Sequence, residues 1–589
     1  MKKFVLFFLL IASVTAAYAQ NPKLSPELQG YTSTQPVQVI VQYAPGTQLT
    51  CNGLLGLVDC LVNDVVNLGG KILGDLPIIN GIVAQLDGNA IQSLSNHSNV
   101  VYISSDRPLT PSLSNAAVAV NAPFAWQSGY TGAGVGVALI DSGVSSHPDL
   151  NLGILPFSRV VYQKSFVPGN SSANDQYGHG THVAGLIAGD GLDSTGLLYT
   201  KTFKGIAPGA SIINLRVLDQ NGAGSDSLVI AAINQAISLK SQYNIRVINL
   251  SLGRAVYESY TLDPLCQAVE KAWKAGIVVV VAAGNNGRYL PTDGYATVTS
   301  PGNDPYVITV GAMKPMGTPT RVDDLIASYS SKGPTVVDAV VKPDIVAPGN
   351  LLTSLEAPNS TLYNELPANQ VPYSNYVSGG SSASSSKYFT LSGTSMATGI
   401  VSGVVADLLQ KSPSLSPDQV KARLMLTAYK TFPQSSSTTD PTTGITYTDQ
   451  YDVFTIGAGY VDVEAALKST VVARGTAMSP IATYNSNTNQ VTMTGDPSAV
   501  WNTSSTWSEP AVWGNSQFVA TGQGSSVSTS TVAASNVLWG SNVLWGSSAV
   551  WGSNVLWGSN VLWGSNVLWG SNVLWGSNVL WGSNASAGE

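Results

Sequence analysis

The sequence predicts an α/β protein with a doubly wound, mainly parallel β-sheet, preceded by a small α+β unit and followed by a Trp-rich hexapeptide-repeat tail. Three observations predict this class. Between about residues 118 and 467, apolar runs of strand length alternate with helical stretches. The segment before residue 107 shows strand and helix patterns on a smaller scale, and from residue 535 a six-residue unit repeats in register.

Composition excludes several classes of protein. The 589 residues carry 27 basic and 34 acidic side chains, a formal charge of -7, so no nucleic-acid partner is expected. A chain of this length with 44% hydrophobic residues supports two or more domains. Its three cysteines, Cys51, Cys60 and Cys266, are too few and too scattered for a disulfide scaffold or a zinc site.

The amino terminus is typical of an export signal. Met1-Lys2-Lys3 precedes an apolar run from Phe4 to Ala12, and Ala17-Tyr18-Ala19 supplies a small-residue cleavage site. We predict a signal peptide over residues 1–19 and a secreted, extracellular protein. Membrane anchoring is disfavoured, because the apolar run is shorter than the roughly 20 residues that a membrane span needs.

The segment before residue 107 predicts a compact unit of β-α-β-α-β order. Val37–Tyr43, Ile78–Leu86 and Val100–Ile103 have strand patterns, and helical stretches separate them. Cys51 and Cys60 lie within this unit, close enough along the chain for a local disulfide outside the cell. Two buried free thiols are the alternative that the sequence leaves open.

The central part of the chain predicts the parallel sheet. Helical stretches such as Ser227–Gln242 and Pro264–Ala275 separate its strand patterns. In a doubly wound sheet, functional residues gather at the carboxyl ends of the strands. The apolar runs of strand length are Val135–Ile140, Ile212–Val217, Val247–Leu250, Ile277–Ala282 and Tyr306–Val310.

Three short motifs place reactive side chains where the backbone is constrained. Asp141 ends an apolar strand before Ser142-Gly143, so its carboxylate emerges at the carboxyl edge of the sheet. His179, in Gly178-His179-Gly180-Thr181-His182, starts a helix of small residues. Ser395 starts the apolar helix that runs through Leu409, so its hydroxyl lies among free N–H groups. A serine nucleophile needs a base, and the base needs a group that orients it.

These motifs, in the chain order Asp, His, Ser, resemble those of the subtilisin-like serine proteases, the subtilase superfamily or peptidase family S8. The resemblance covers about residues 118–467. It implies a serine endopeptidase acting on polypeptides, with Asp141, His179 and Ser395 as catalytic residues. Asn285, which follows the apolar strand Val279–Ala282, is implied as the side-chain donor of the oxyanion hole.

The resemblance also implies the substrate-binding segments and the catalytic requirements. Ser251, Leu252 and Gly253 are similar to the family's peptide-pairing edge. Ala282, Ala283 and Gly284 are similar to the opposite wall of the primary pocket. Small residues on these walls and the neutral Asn286 predict broad specificity with a preference for apolar side chains. No cofactor is required for the implied catalysis.

By the same resemblance, the small unit is an inhibitory propeptide of the inhibitor I9 type. We assign residues 20–110 to the propeptide and residues 111–469 to the catalytic domain. The propeptide acts as an intramolecular inhibitor, and its cleavage is expected between Asp106 and about Val118.

The sequence leaves the question of a structural calcium ion open. Asp149 matches a position that binds calcium in many relatives, and Asp190 and Asp193 in a nearby loop are candidate ligands. An acidic loop cap is the alternative.

The other histidines and the third cysteine have no predicted role in catalysis. His182 is predicted to be a packed structural histidine, because no carboxylate or thiolate joins it at ligand spacing. His147 and His97 are predicted to be surface or turn residues. Cys266 is predicted to be buried and inert.

The carboxyl-terminal region is repetitive. Residues 470–534 predict a Ser/Thr-rich linker with degenerate repeats at Trp501, Trp507 and Trp513, and residues 535–584 repeat Ser-Asn-Val-Leu-Trp-Gly. A six-residue period does not match a helix but keeps each Trp on one face of a strand, which favours a β-solenoid or stacked hairpins. Such a face suits contact with a cell surface or polysaccharide. The alternative for the repeat is a poorly ordered tail. The alternative to a protease, for the whole chain, is a surface attachment or scaffold protein that acts through the Trp repeat on a protease fold.

Overall fold

The structure of the chain is a computed structural model. It describes residues 21–25, 28–44, 61–76, 80–105, 112–113, 115–153, 155–440, 443–485, 490–502, 505–507, 509–513, 519–521 and 524–527. The chain divides into two compact units, Met1–Thr110 and Pro111–Glu589. The predicted signal peptide, Cys51, Cys60 and the repeat over residues 535–584 lie outside the described residues.

The first unit contains one four-stranded antiparallel sheet of order β2-β3-β1-β4. The predicted β-α-β-α-β order lacks β2. The described strand β3 begins at Gly81, directly after Asn80 with its φ of 47°, and Ile78 and Ile79 of the predicted strand lie outside the described residues. Asp87 caps α2 by accepting a hydrogen bond from Ala90 N at 2.8 Å. The elements are β1 (Val37–Tyr43), α1 (Leu61–Asn67), β2 (Lys71–Leu76), β3 (Gly81–Leu86), α2 (Gly88–Ser95) and β4 (Val100–Ser105).

An eight-stranded sheet forms the centre of the second unit. Its order is β15-β14-β13-β12-β6-β11-β9, with β16 also beside β14, and every pair is parallel except β14 with β15. The predicted parallel sheet is therefore confirmed. Its strands are β6 (Gly136–Asp141), β9 (Val160–Ser165), β11 (Ser211–Arg216), β12 (Ile245–Leu250), β13 (Val278–Ala282), β14 (Ile308–Lys314), β15 (Leu325–Ile326) and β16 (Ile345–Pro348).

Eleven helices are described in the second unit, and the longest two have 18 residues each. Within the described part of the chain, none is both long and apolar enough to cross a bilayer. The helices are α3 (Asn115–Ala119), α4 (Ala122–Gln127), α5 (His179–Ala188), α6 (Asp226–Tyr243), α7 (Pro264–Lys274), α8 (Thr361–Glu365), α9 (Thr394–Lys411), α10 (Pro417–Thr427), α11 (Val453–Ile456), α12 (Val463–Lys468) and α13 (Glu509–Trp513).

The strand order reverses at β6. The chain runs from β6 to β9 at the far edge, returns through α5 to β11, and then passes through α6 to β12 on the other side of β6. Helix α5 packs against α9, whereas α6 packs against α7. A crevice forms at the carboxyl end of β6, where a doubly wound sheet binds its ligands.

Helix α9 is buried along most of its length, from Thr394 to Leu409. It packs on the sheet and against α5. Gly399 lies at the close approach of the two helices, because a Cβ atom there would lie 3.3 Å from Cγ1 of Val183. Helices α5 and α9, which carry His179 and Ser395, are thus packed directly on each other.

Smaller sheets surround the central one. Strands β17, β18 and β19 form an antiparallel sheet, and β17 packs on α5. The peripheral strands are β5 (Ser112–Leu113), β7 (Asn151–Leu152), β8 (Leu155–Ser158), β10 (Lys201–Thr202), β17 (Leu352–Leu355), β18 (Gln370–Pro372), β19 (Ser384–Leu391), β20 (Ser435–Thr439), β21 (Thr446–Gln450), β22 (Ile481–Asn485), β23 (Gln490–Thr494), β24 (Val519–Thr521) and β25 (Gly524–Val527).

A second hydrophobic core lies in the carboxyl-terminal part of this unit. Trp501, Trp507 and Trp513 are 4%, 5% and 1% exposed within it, packed with Met425 of α10 and Phe454 of α11. Trp501 and Trp513 meet edge to face at 5.0 Å between ring centroids. The composition of residues 470–534 predicts a linker, and the structure differs because the three indoles are buried against helices that precede them in the chain.

Candidate active site

Asp141 and His179 meet at the carboxyl end of β6. Asp141 is the last residue of that strand, His179 is the first residue of α5, and both are buried. His179 Nδ1 lies 2.8 Å from Asp141 Oδ1. The same carboxylate oxygen accepts the N–H of Ser142 at 2.7 Å. The structure therefore brings the predicted pair together, and the N–H of the residue after Asp141 also holds the carboxylate in place.

The two ring nitrogens of His179 have different surroundings. Nδ1 faces a carboxylate oxygen, so we assign the proton to Nδ1 and a lone pair to Nε2. Nε2 has no hydrogen-bond partner among the described residues. Burial lowers the pKa of His179, but the Asp141 charge and hydrogen bond, together with the Asp175 charge, outweigh burial and raise the pKa above its ordinary value of 6.5. This arrangement suits Nε2 as a general base.

Ser395 is the second residue of α9 and is buried at the amino end of that helix. Its hydroxyl donates to the Ser251 carbonyl oxygen at 3.1 Å, and the Ser251 hydroxyl donates to the Ser395 carbonyl oxygen at 2.9 Å. The Ser395 hydroxyl is thus directed to the end of β12 and not to His179 Nε2. Hydrogen bonds among catalytic groups are often made only when substrate is bound.

Asn285 lies beside the amino end of α9. Its Oδ1 accepts hydrogen bonds from N and Oγ1 of Thr394 at 2.9 and 3.0 Å, so its amide N–H2 points away from Thr394. A Cβ atom added to Gly393 would lie 3.4 Å from Asn285 Nδ2 and 3.7 Å from the backbone nitrogen of Ser395. Two donors therefore border one small space next to the Ser395 hydroxyl, which is the layout that an oxyanion needs.

The two predicted substrate-binding segments approach the same side chain. A Cβ atom on Gly253 would lie 2.4 Å from Thr299 Oγ1, and one on Gly284 would lie 2.9 Å from Thr299 Cγ2. Ser251, Leu252, Ala282 and Ala283 are buried, and Gly284 is half-buried. Thr299 is a site residue that sequence reasoning missed. No local signal marks it, because it belongs to neither predicted strand.

A cluster of His147, Asp149 and Asp193 lies beside the turn between β6 and β7. Their ligand atoms are all within 4.8 Å of one another. Asp149 Oδ1 accepts the N–H of Asp193 at 2.7 Å, and Oδ2 accepts the hydroxyl of Tyr388 at 2.7 Å. Asp190, a predicted ligand, accepts the N–H of Leu192 within its own turn at 3.0 Å.

Lys387 adds a positive charge to this cluster. Its Nζ lies 2.8 Å from Asp193 Oδ2, and His147 Nε2 lies 3.0 Å from its carbonyl oxygen. Calcium takes six to eight oxygen ligands, whereas the carboxylates here already face N–H, O–H and ammonium donors. The donor set fits an acidic loop cap and does not fit a calcium site.

The remaining histidines and the third cysteine have structural surroundings. His182 Nε2 lies 3.0 Å from the carbonyl oxygen of Leu352, and burial lowers its pKa to about 3. His147 begins a turn, one of its two predicted settings, and is buried there, and burial lowers its pKa to about 4. His97 is exposed, and its Nδ1 lies 3.3 Å from Asp64. Cys266 is a buried free thiol, and burial raises its pKa.

Comparison with known proteins places these residues in a family context. The family model described as the subtilase family matches residues 132–459. The matched range contains Asp141, His179, Asn285 and Ser395.

Several curated proteins are similar to this chain, and three of them show the extent of the match. Serine protease AprX of Bacillus subtilis (strain 168) is 39% identical over 358 residues, which cover 59% of this chain and 73% of that protein. Subtilisin E of the same organism is 33% identical over 429 residues, covering 72% of this chain and 92% of that protein. M-protease of Shouchella clausii (strain KSM-K16) is 32% identical over 401 residues, covering 68% and 82%.

Proposed function

This chain belongs to the subtilase family and is a subtilisin-like serine endopeptidase, and we propose that Asp141, His179 and Ser395 form its catalytic triad. One observation carries the assignment of the triad. His179 Nδ1 pairs with Asp141 Oδ1 at 2.8 Å, while Nε2 has no partner among the described residues. A histidine oriented by a buried carboxylate and unpaired at its other nitrogen is the base that a serine nucleophile requires.

The proposed reaction begins when a peptide carbonyl reaches the crevice at the end of β6. The Ser395 hydroxyl turns from the Ser251 carbonyl to His179 Nε2, which takes its proton as Oγ attacks the carbonyl carbon. The Asp141 carboxylate stabilises the resulting imidazolium. Nε2 then gives the proton to the leaving amine, and water hydrolyses the acyl-enzyme by the same base in a second cycle.

The developing oxyanion is bound in the proposed mechanism by Asn285 Nδ2 and the backbone N–H of Ser395. The contacts of Thr394 with Asn285 Oδ1 support this role, because they fix the amide with its donors away from Thr394. Donors placed before the reaction need no reorganisation when charge develops.

A serine-directed fluorophosphonate tests the assignment of the nucleophile. Folded, mature wild-type protein is expected to form an adduct at Ser395 that mass analysis locates, together with turnover of a protein substrate. Ser395→Ala is expected to lose both, whereas Ser412→Ala, at the other end of α9, is expected to keep both. Ester turnover without peptide turnover would point to an esterase. Absence of labelling in folded wild-type protein would contradict the triad and favour a scaffold.

We also propose that the enzyme cleaves broadly, with a preference for apolar side chains before the scissile bond. Ala282, Ala283, Gly284 and Gly253 are small, and the side chain of Thr299 lies between the two glycines. Cleavage profiles on a peptide library test this specificity. Cleavage confined to Lys or Arg would contradict it, because basic side chains need an acidic partner in the pocket.

We also propose that the protein is secreted, that it matures from a zymogen, and that its repeat attaches it to a surface. Residues 1–19 are the signal peptide, and residues 20–110 are the inhibitory propeptide, which is supported by the division of the chain at Thr110. The Trp repeat over residues 535–584 contacts a cell surface or polysaccharide. Pull-down of a repeat peptide on purified cell walls tests this contact, and recovery no better than with a Trp-to-Ala repeat would contradict it.

A further inference from the structure

The loop just before α5 contains a buried carboxylate that the proposed mechanism does not use. Asp175 is 2% exposed and lies four residues before His179. Its Oδ1 accepts hydrogen bonds from Ser142 Oγ at 2.9 Å, Tyr177 N at 3.1 Å and Gly178 N at 2.7 Å. Its Oδ2 accepts from N and Oγ1 of Thr181 at 2.8 and 2.7 Å.

One of these contacts caps α5. Gly178 occupies the N-cap position but has no side chain to accept a hydrogen bond, so the first N–H groups of the helix need other acceptors. Asp175 Oδ2 accepts the N–H of Thr181, and Ser142 Oγ accepts the N–H of Gly180 at 2.9 Å. A negative charge at this end of a helix is also favoured by the helix dipole.

The same contacts reach the residues that follow Asp141. The Ser142 hydroxyl donates to Asp175, while the Ser142 N–H donates to Asp141 Oδ1 at 2.7 Å. The Thr181 hydroxyl donates to Asp175 and accepts the N–H of Ser145 at 2.9 Å. In the loop after β6, Ser142 is therefore bonded to Asp175 directly, and Ser145 is linked to it through the Thr181 hydroxyl.

The loop and the helix touch where these bonds converge. A Cβ atom on Gly180 would lie 2.2 Å from the carbonyl oxygen of Gly143 and 3.2 Å from Asp141 Oδ1. No side chain separates the first turn of α5 from the turn after β6. A small displacement of either segment would therefore move His179 relative to Asp141.

We propose that Asp175 is a positioning residue, which holds the loop after Asp141 and the first turn of α5 in the register that catalysis requires. This inference rests on the proposed function, since it concerns the geometry of two proposed catalytic residues. Asp175 touches neither substrate nor the reacting atoms and acts through Ser142, Gly178 and Thr181.

Asp175 acts as an anion. All five groups that hydrogen-bond to Asp175 are N–H or O–H donors, which suits an ionised carboxylate. Burial raises the pKa of Asp175, and the hydrogen bonds oppose that rise. The Arg216 guanidinium is the nearby positive charge. Of the residues that the structure describes, Asp141, Asp175 and His182 are the charged or titratable groups that face His179, and the first two raise its pKa.

Asp175→Asn tests the proposal, because it keeps the shape of the side chain but removes the charge and one acceptor oxygen. We expect kcat to fall about 100-fold, the scale of a misplaced catalytic group, with KM changed by less than about twofold. The acidic limb of the pH profile of kcat/KM is expected to move to lower pH, because one negative charge near the imidazole is gone. Unchanged kcat and an unchanged acidic limb in folded protein would overturn the proposal.

Asp452→Asn is the matched control for loss of a buried carboxylate. Asp452 is buried in the second core and accepts hydrogen bonds from the N–H groups of Phe454 and Thr455 at 2.9 and 3.0 Å. We expect it to lower Tm and leave kcat and the acidic limb unchanged. If Asp175→Asn behaves in the same way, Asp175 is only a helix cap and the proposal is wrong.

Ser142→Ala decides the question if Asp175→Asn does not fold. It removes one hydroxyl link and leaves the backbone contacts of Asp175 in place. We expect a several-fold fall in kcat per fluorophosphonate-reactive site, with KM unchanged, and a wild-type kcat would overturn the proposal. Failure of wild-type protein to react with the fluorophosphonate would instead contradict the triad, so the two failures are distinguishable.

Discussion

At the residue scale, the site depends on which atom of His179 holds the proton. Asp141 Oδ1 faces Nδ1, and this leaves the lone pair of Nε2 without a partner among the described residues. The Ser395 hydroxyl meanwhile donates to the Ser251 carbonyl oxygen. In the described arrangement the Ser395 hydroxyl is therefore paired with Ser251 and not with His179.

The raised pKa of His179 predicts the pH dependence of the enzyme. Only neutral His179 accepts a proton, so kcat/KM is expected to fall as the pH drops through its raised pKa. The acidic limb should lie above the ordinary histidine value of 6.5, because the charges of Asp141 and Asp175 outweigh burial. A kcat/KM profile of wild-type protein measures the limb. A limb below 6.5 would contradict the prediction.

Asn285 gives a second prediction at this scale. Asn285→Ala is expected to lower kcat by about 10²–10³, the loss measured for an oxyanion-hole donor in subtilisin, with KM nearly unchanged. Asn286→Ala removes the neighbouring amide and is expected to keep kcat. Steady-state kinetics on a peptide substrate check both variants. Equal losses would show that the effect is not specific to the oxyanion.

At the scale of elements, the described residues after α12 pack into the core of the second unit. Trp513 lies on α13, which contacts α10, and its ring meets that of Trp501. The degenerate repeats thus form part of a core, while the regular repeats begin beyond the described residues.

Trp513→Ala is expected to destabilise this part of the unit. Removal of a buried Trp costs about 3–5 kcal/mol of unfolding free energy, so Tm should fall while kcat at a permissive temperature is retained. Leu197→Ala is the control, because Leu197 is fully exposed. Thermal unfolding followed by circular dichroism compares the two. A Trp513→Ala protein as stable as Leu197→Ala would show that the indole contributes little.

The loop after β6 gives a prediction about metal dependence. Lys387 of β19 pairs with Asp193 where the family resemblance suggests a cation. We expect EDTA to cause no fall of Tm that depends on Asp193. Lys387→Met should lower Tm slightly, because a partly exposed pair contributes about 1 kcal/mol or less.

Lys274→Met is the control for this pair, since it removes an exposed ion pair with Glu270. Differential scanning calorimetry with EDTA or added calcium compares the variants. An EDTA-induced fall of Tm in wild-type protein that disappears in Asp193→Asn would place a cation on Asp193 and contradict the prediction.

At the scale of the whole molecule, the chain divides at Thr110 into two compact units. The first has its own buried core, which includes Val39, Val41 and Ile91. A unit with its own sheet and core is able to fold as a separate module.

Maturation by the chain's own active site follows from the proposed propeptide. Wild-type precursor is expected to be cleaved between Asp106 and Val118, whereas Ser395→Ala should accumulate uncleaved. Added wild-type enzyme should then cleave the inactive precursor. Intact-mass analysis with time follows both reactions. Full activity of uncleaved wild-type chain would contradict the assignment of residues 20–110.

Much of the fold and part of the site follow from the sequence. The strands β6 and β11–β13 and helices α5, α6, α7 and α9 match their periodic patterns closely, because local hydrophobic periodicity reflects burial. Strand β14 (Ile308–Lys314) begins two residues after the start of the predicted run Tyr306–Val310 and extends four residues beyond its end. The positions of Asp141 and His179 at element ends follow from the same patterns. The motifs also predict Ser395, Asn285 and the two substrate-binding segments. Thr299 and Asp175 could not be predicted, because their contacts include residues far away in the chain and are not encoded in their local sequence.

The sequence alone determined the family, the α/β class and the order of the reactive residues, since each depends on short motifs or local periodicity. Only the tertiary structure decided the direction of the Ser395 hydroxyl, the burial of His147, the extra strand β2 and the core around Trp501, Trp507 and Trp513. It also brought the ammonium of Lys387 to Asp193 and five donors to Asp175. Most of these features depend on side chains far apart in the chain, whose contacts exist only once the sheet and helices have packed.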